Sequence, residues 1–579
     1  MLDTIIAGAL IVDGTGSPGR IGGIGISAGR IVAVGEVADD AREMIDGSGL
    51  VACPGFVDPH THYDAQLFWD PTASPSGAHG VTTMIGGNCS FGLAPLAADD
   101  ADYSRRLLAK VEGMPLAALE QGVDGAWSTF GEYIARFDDR LAVNAGFLVG
   151  HSALRRMVMG AAANDSAADE GQLAAISAAL QRSLADGALG LSVDASDFHS
   201  DGDGRPVPAR GASRDEVLAL CTIVGHYPGT SLAGIFAGAS AGFGDDEIEL
   251  LAQMSAVAGR PLNWNLLVVD AAAPERVSAQ MAPSRRAREI GGRVVALTMP
   301  VIVPMNMSFL NYCAFNLMPG WGEVLNKPVA ERMNLLRDPS VRDRMLRGSR
   351  DENIGMFRRL TGFAGYRIGD TYSAANEGLA GRVVGDIAAE RGADPFDTLI
   401  DVALADDLRT VLWPSATDDD DAHWSLRAEL WNDPDVLLGG SDAGAHLDRM
   451  CGGTYPTQFI GDCLRGRRLM SIERAVHLLT DVPARLFGLR DRGRIEHGAC
   501  ADIVLFDPAT VGAAPARLVN DLPGGSARLT ADPIGVHRVM VNGVTTVLDG
   551  VSTGARPGTM LRSGRDTATV STRAVQVGK

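Results

Sequence analysis

The stretch Gly55-Phe-Val-Asp-Pro-His-Thr-His-Tyr63 is the part of this sequence around which the rest of the chain is organised. A short apolar run leads into two histidines, His60 and His62, at positions i and i+2. On a strand this spacing points both side chains to the same face. Two neutral imidazole nitrogens that converge there could hold zinc or a similar divalent metal. A strand end with two solvated histidines would give the same pattern, so other parts of the sequence must separate the two interpretations.

The sequence around this motif alternates between strand-like and helix-like segments. From residue 55 to about residue 489, apolar runs that end in polar residues alternate with amphipathic stretches rich in Ala and Leu. Such alternation predicts parallel strands joined by crossover helices. The candidate strands lie at residues 56–57, 81–85, 143–149, 188–193, 232–236, 262–269, 294–297 and 436–438. Eight strands of this kind predict a closed (β/α)8 barrel with its chemistry at the carboxyl ends of the strands.

Both ends of the chain have a different sequence pattern. Short strand-like runs are separated by glycines, and Asn542-Gly543 is typical of a hairpin turn. We therefore expect residues 1–54 and 488–579 to form one small β-sandwich, with a barrel of residues 55–487 inserted between them. The barrel is interrupted by a segment at about 301–370 that is longer than a connection between a strand and a helix requires. Its apolar residues argue against disorder: Met305, Met307, Phe309, Tyr312, Phe315, Met318 and Trp321. This insertion is predicted to be a lid or pocket wall, and a contact in an oligomer fits equally well.

Composition narrows the classes of partner. The net charge of -20 disfavours nucleic acid and anionic membranes, because both need a basic protein surface. The seven cysteines show no paired spacing, which predicts a reducing, cytoplasmic setting. No signal sequence is recognisable at the N-terminus, and no uncharged apolar run reaches the roughly 18 residues of a membrane span. We expect a small-molecule substrate, no nucleic-acid or membrane partner, and leave a homo-oligomer open.

Two further residues at predicted strand ends could complete a metal site. Cys89 follows the second strand beside two glycines, where a thiolate would be a good zinc ligand, although a small buried core cysteine is an equal alternative. Asp442 follows the eighth strand, which neighbours the first in a closed barrel. A carboxylate there could ligate a metal and also accept a proton from water. A structural aspartate that caps the following turn is the alternative.

The ends of the third and fourth strands carry weaker candidates. His151 and Arg155 follow the third strand and lie at the same predicted rim. His151 could be a metal ligand, a donor to the transition state, or a histidine bound to the barrel wall. His199 follows the fourth strand at a greater distance.

Taken together, these pieces resemble the amidohydrolase superfamily, and most closely its N-acyl-D-amino-acid deacylase (D-aminoacylase-like) branch. The matching segments run along the whole chain: Ile11–Thr15, Gly55–Tyr63, Gly80–Thr83 with Gly87–Cys89, Gly150–His151 with Leu154–Arg155, Gly187–Ser192, Gly440–Asp442 and Gly498–Ile503. The resemblance implies a distorted TIM-like (β/α)8 barrel, a β-sandwich made from both termini, and zinc-dependent hydrolysis of an amide.

Carried over to this sequence, the resemblance assigns His60 and His62 to the ligands of the first strand, Cys89 to the cysteine ligand of this branch, and Asp442 to its essential aspartate. The branch also has histidines on strands five and six, which this chain lacks, and Asn265 stands where one is expected. The resemblance therefore implies one zinc or other divalent ion, held by His60, His62 and Asp442, with Cys89 as a further candidate.

Two other departures concern the substrate. Relatives hold the substrate carboxylate with a lysine that is Leu267 here and with an arginine-containing stretch that is Ala445-His-Leu-Asp-Arg449 here. The resulting hypothesis is a hydrolase of carbon–nitrogen bonds other than peptide bonds, in which Asp442 moves the proton and either the metal or His151 stabilises the oxyanion. The predicted substrate-binding residues are Tyr63, Arg155, His199, Asn265 and His446. Two alternatives are a hydrolase of a cyclic amide, ester or lactone and a metal-free binding protein that has lost its centre.

Overall fold

The computed structural model of this chain describes residues 1–310, 313–351, 354–416 and 418–572, so that the predicted insertion residue Tyr312 lies outside the described part. The chain divides into two compact units. The first, called here the barrel unit, comprises Met1–Val269, Pro274–Val301 and Ser425–Lys579. The second, the insertion unit, comprises Asp270–Ala273 and Ile302–Trp424.

In the barrel unit, strands from the two chain ends share one nine-stranded sheet. Its strands are Leu2–Ile11, Arg20–Ser27, Arg30–Gly35, Ala41–Asp46, Val51–Pro54, Ile503–Phe506, Val536–Val541, Val544–Leu548 and Val551–Ser552. The ends are joined where Val51–Pro54 pairs antiparallel with Ile503–Phe506. Alternate apolar side chains on one face, such as Ile6, Ile24 and Leu505, form a buried core. Two short ladders complete this region: Gly512–Ala513 with Pro533–Ile534, and Arg517–Val519 with Arg528–Thr530.

Between these ends lies the parallel barrel. Its strands are, in order, Phe56–Asp58, Val81–Gly86, Asn144–Phe147 with Val149–Gly150, Gly190–Ala195, Ser231–Phe236, Leu262–Asn265, Val294–Thr298 and Val436–Leu438. The third strand is divided, because Asn144–Phe147 pairs with the second strand whereas Val149–Gly150 pairs with the fourth. Apolar side chains from the strands pack together in the interior, among them Val57, Ile85 and Leu437. The (β/α)8 barrel and the sandwich made from both termini agree with the predicted fold.

Helices lie between and after the barrel strands along the chain. They are Ala101–Val111, Leu116–Gly122, Phe130–Ala135, His151–Met159, Glu170–Ala185, Arg214–Gly225, Gly238–Ala241, Asp245–Ala258, Pro274–Gln280, Ala282–Glu289, Tyr455–Leu464, Ile472–Leu479 and Asp481–Leu486. Side-chain caps fix the N-termini of two of these helices. The Asp169 carboxylate accepts the backbone N–H of Gln172, and the Ser213 hydroxyl accepts the backbone N–H of Glu216. Within the described residues, no helix combines the length and apolar composition that a membrane crossing requires.

The insertion unit continues to Trp424, well beyond the predicted limit near residue 370. Its helices are Gly322–Leu325, Val329–Leu336, Pro339–Gly348, Val384–Arg391 and Pro395–Ala405, followed by Asp421–Leu430, which begins in it; its strands are Arg367–Ile368 and Leu412–Trp413. The unit has its own core, in which the rings of Phe315 and Trp321 stack at 4.3 Å. The helix Val384–Arg391 lies in an amphipathic stretch that would also suit a barrel helix, but its apolar side chains pack into the core of the insertion unit. Periodicity indicates that a helix has a buried face but not which partner covers it.

Candidate active site

Three potential metal ligands converge at the carboxyl ends of the first two barrel strands. The nitrogens of His60 and His62 and the sulfur of Cys89 lie within 4.8 Å of one another, and all three residues are buried. The two imidazole rings meet edge to face with their centroids 5.2 Å apart. Cys89 Sγ lies 3.6 Å from His60 Nε2. The i, i+2 spacing and the turn after the second strand thus bring both histidines and the cysteine to one point.

Asp442 joins this cluster from the end of the eighth strand. Its Oδ1 lies 3.1 Å from His62 Nε2 and 3.7 Å from His60 Nε2. Backbone hydrogen bonds hold the two strand ends together, because the Asp442 N–H donates to the His60 carbonyl at 3.2 Å and the His62 N–H donates to the Ala443 carbonyl at 2.7 Å. The carboxylate is therefore held in register with both histidines by main-chain contacts.

Gly444 permits this close approach of the two loops. Its φ is +94°, and a Cβ at this position would lie 2.3 Å from the carbonyl carbon and oxygen of His62. Any side chain would push the Asp442 loop away from the first strand.

Asp58, which precedes the histidines, anchors the same junction. Its Oδ1 accepts the backbone N–H groups of His60 at 3.3 Å and of Ser441 at 3.1 Å. Burial raises the pKa of Asp58 to about 7. Asp58 thus holds the backbone on both sides of the cluster through these two hydrogen bonds.

Glu112 is a member of the site that the sequence did not reveal. Its Oε1 lies 3.2 Å from His62 Nδ1, and its side chain is buried. Its backbone carbonyl accepts the N–H of His446. Burial raises the pKa of Glu112 to about 7, against the opposing charge of His62. The residue follows the helix Ala101–Val111 and not a barrel strand, so a search of strand ends could not find it.

Comparison with known proteins identifies the family to which this chain belongs. Residues 43–551 match the model described as the amidohydrolase family, which is most of the chain. The chain belongs to the amidohydrolase family. The membership predicted from the histidine and aspartate motifs is therefore confirmed.

The relatives of this amidohydrolase match along almost its whole length. The D-aminoacylase of Alcaligenes xylosoxydans xylosoxydans is 29% identical over 566 residues, which cover 96% of this chain and 97% of that protein. The N-acyl-D-aspartate deacylase of the same organism is 30% identical over 571 residues, which cover 97% of this chain and 95% of the relative. The solved structure of N-acyl-D-glutamate deacylase from Bordetella bronchiseptica, complexed with zinc and a phosphonate inhibitor that mimics the tetrahedral intermediate, has a TM-score of 0.63 at 25% identity. That similarity covers 97% of this chain and 100% of the solved one.

The charges of the amidohydrolase site act differently on its two histidines. Burial opposes the charged form of His62, but Glu112 and Asp442 raise its pKa well above the usual value, so a bound cation would have to displace its proton. Burial, with the neighbouring His62, lowers the pKa of His60 to about 3, which keeps its imidazole neutral. Burial disfavours the Asp442 carboxylate, but the hydrogen bond and charge of His62 hold its pKa well below the usual range. Burial raises the pKa of the Cys89 thiol to about 11. Neutral imidazole and ionised carboxylate are the forms that ligate metals, and a thiol becomes a ligand when the cation displaces its proton.

Three of the predicted substrate-binding residues lie around this cluster. The Asn265 Nδ2 donates to Cys89 Sγ at 3.4 Å. The partly buried His446 interacts electrostatically with Asp442, and burial lowers its pKa to about 4. His199 Nδ1 lies 2.7 Å from Asp194 Oδ2; burial disfavours its charged form, but Asp194 raises its pKa overall.

The structure gives His151 and Arg155 a different role from the predicted one. His151 Nε2 lies 2.8 Å from Glu216 Oε1, and Arg155 Nη1 donates to the other oxygen of Glu216 at 2.5 Å. The remaining donors of Arg155 bind carbonyls of Pro208, Ala163 and Ser166. Both side chains have no exposed surface, so they form a buried ion-pair network and are not available to a substrate. Residue type and strand position alone could not show that a glutamate from another helix would take these contacts.

The prediction that Tyr63 binds substrate is also wrong. The residue is fully buried, and its hydroxyl lies 2.7 Å from Ser76 Oγ. It continues the first-strand motif, but it begins a turn, and its side chain packs into the protein interior.

Proposed function

We propose that this amidohydrolase is a metal-dependent hydrolase that cleaves the amide C–N bond of an N-acyl amino acid. The observation that carries the proposal is the convergence of His60, His62 and Cys89, with the Asp442 carboxylate beside both histidines. The similarity to D-aminoacylase and to N-acyl-D-aspartate deacylase along nearly the full length supports the same reaction class. The substrate is accordingly a small molecule.

The donor set fits one divalent cation of the zinc type. His60, His62, Cys89 and Asp442 would hold it through two imidazoles, a thiolate and a carboxylate, which is a donor set that zinc accepts. Asn265 stands at the end of the sixth strand and donates its N–H to the sulfur, so it orients the cysteine. This arrangement supports a site for a single ion.

The chain's own groups supply the proton transfers. A cation bound here would lower the pKa of a water molecule and withdraw charge from the scissile carbonyl. Asp442, whose carboxylate is kept ionised, accepts the proton of the attacking water at Oδ1 and returns it to the leaving nitrogen. His199, held by Asp194 at 2.7 Å, is the proposed contact for an anionic group of the substrate.

A metal determination combined with a substrate panel tests this function. We expect about one zinc per chain in the wild-type protein and loss of that zinc in His60→Ala. The zinc-loaded enzyme should hydrolyse N-acetyl-D- or N-acetyl-L-amino acids in preference to cyclic imides and lactones. Absence of metal after incubation with zinc, or turnover of lactones alone, would contradict the proposal.

Three other expectations stay predictions. No disulfide joins the cysteines among the described residues, and the reducing, cytoplasmic setting stays a prediction. The homo-oligomer and the role of the insertion as a lid or pocket wall are likewise predictions.

A further inference from the structure

Glu112 occupies a position that protein stability alone does not favour. It caps the C-terminus of the helix Ala101–Val111, where its N–H donates to the Leu108 carbonyl at 2.9 Å. The partial negative charge of a helix C-terminus disfavours a carboxylate, and burial of an acid adds a further cost. A buried acid in this place needs a compensating partner.

That partner is His62. The Glu112 Oε1 lies 3.2 Å from His62 Nδ1, on the opposite side of the ring from the Nε2 that faces Asp442. When Nδ1 carries its proton and donates to Glu112, Nε2 is left with a lone pair directed at the cluster. Such a carboxylate fixes both the tautomer and the orientation of a metal-binding histidine.

The backbone of Glu112 is held as firmly as its side chain. Its carbonyl accepts the N–H of His446, which belongs to the loop that carries Asp442. At the next residue, Gly113, φ is +57° and a Cβ would lie 2.8 Å from His446 Nδ1, so the turn packs closely on this loop. Glu112 therefore connects the histidines of the first strand with the aspartate loop of the eighth.

We propose that Glu112 is a positioning residue that orients His62 and presents its Nε2 to the metal, an inference that rests on the proposed metal-dependent function. It raises the affinity of the site for the metal without touching metal or substrate.

The chain contains a matched control for this proposal. Glu216 is also a buried glutamate beside a histidine, with its Oε1 2.8 Å from His151 Nε2, but it belongs to the separate network with Arg155. Glu112→Gln and Glu216→Gln therefore each replace a buried carboxyl group that contacts a histidine, and only the first change affects a residue of the metal site.

Zinc affinity, measured by competition with a chromogenic chelator on the full chain, separates the roles. We expect Glu112→Gln to bind zinc about tenfold or more weakly, within the range known for such partners, and Glu216→Gln to bind it as the wild type does. The visible bands of the Co(II)-substituted protein should shift in Glu112→Gln alone, because a merely structural effect would leave the ligand field of the bound ion unchanged.

The outcomes distinguish this inference from the function on which it rests. Wild-type zinc affinity together with wild-type Co(II) bands in Glu112→Gln would overturn the positioning role and leave the hydrolase intact. Absence of metal from the wild-type protein would overturn both. If Glu112→Gln does not fold, Glu112→Asp replaces it. This variant keeps the carboxylate but moves it away from His62 by the length of one methylene. Unchanged zinc affinity in Glu112→Asp would equally contradict the positioning role.

Discussion

At the scale of single residues, Asp442 is the group on which the proposed chemistry depends most. Asp442→Asn keeps the size of the side chain but removes the charge that accepts a proton. We expect kcat for an N-acyl amino acid to fall by about 10²–10⁴-fold, the usual contribution of a general base. Circular dichroism and the unfolding midpoint should stay close to those of the wild type, and turnover within a few fold of wild type would remove Asp442 from the mechanism.

Arg155 is expected to affect the stability of the protein and not its metal site. Arg155→Met removes the cation that pairs with the buried Glu216 and should lower the free energy of unfolding by about 3–5 kcal/mol, because a buried charge is left without its partner. Denaturant unfolding measures this change. The zinc content of the folded variant should match that of the wild type, whereas loss of zinc at unchanged stability would restore a role at the site.

The same network has a defined pH dependence. Burial opposes ionisation of Glu216, but the hydrogen bonds and charges of His151 and Arg155 lower its pKa overall. A carboxyl group with a lowered pKa in the folded state contributes its full stability above its unfolded pKa of about 4.3, and this contribution is lost as the pH falls through the lowered value. Unfolding measured from pH 6 downward should show a weaker acid destabilisation in Glu216→Gln than in the wild type, and identical slopes would contradict this.

At the scale of elements, the junction of the first and eighth strands is the critical contact. Gly444→Ala places a Cβ 2.3 Å from the His62 backbone, whereas Gly498 has a similar φ of +89° and open space around it. Both alanines should cost about 1–2 kcal/mol of stability for the left-handed backbone. Only Gly444→Ala should also weaken zinc binding, because it displaces the loop that carries Asp442, and equal zinc affinity in the two variants would contradict this view of the junction.

At the scale of the whole molecule, the two units have separate hydrophobic cores. Trp321 is fully buried in the core of the insertion unit. Trp321→Ala should destabilise that unit by about 3–5 kcal/mol, as large core truncations do. Hydrogen exchange should show the loss of protection within residues 302–424, while an equal loss in the barrel strands would mean that the two units unfold together.

The architecture and four members of the site could be predicted from the sequence because they depend on local patterns. Strand periodicity and strand-end polarity give the barrel, and the histidine pair, Cys89 and Asp442 all follow strands directly. The extent of the insertion could not be predicted in this way. Its later helix Val384–Arg391 has the same amphipathic pattern as a barrel helix but is buried against Phe and Trp side chains of its own unit.

By itself, the sequence determined which residues stand at the carboxyl ends of the barrel strands, since parallel strands bring these ends to one edge whatever surrounds them. Only the tertiary structure decided which of those side chains face the cluster. Glu112 contacts His62 from the end of a helix, and Glu216 pairs with His151 and Arg155 in the protein interior. Both contacts join residues that lie 50 or more positions apart, and they depend on how helices pack against the barrel, which local sequence patterns do not specify.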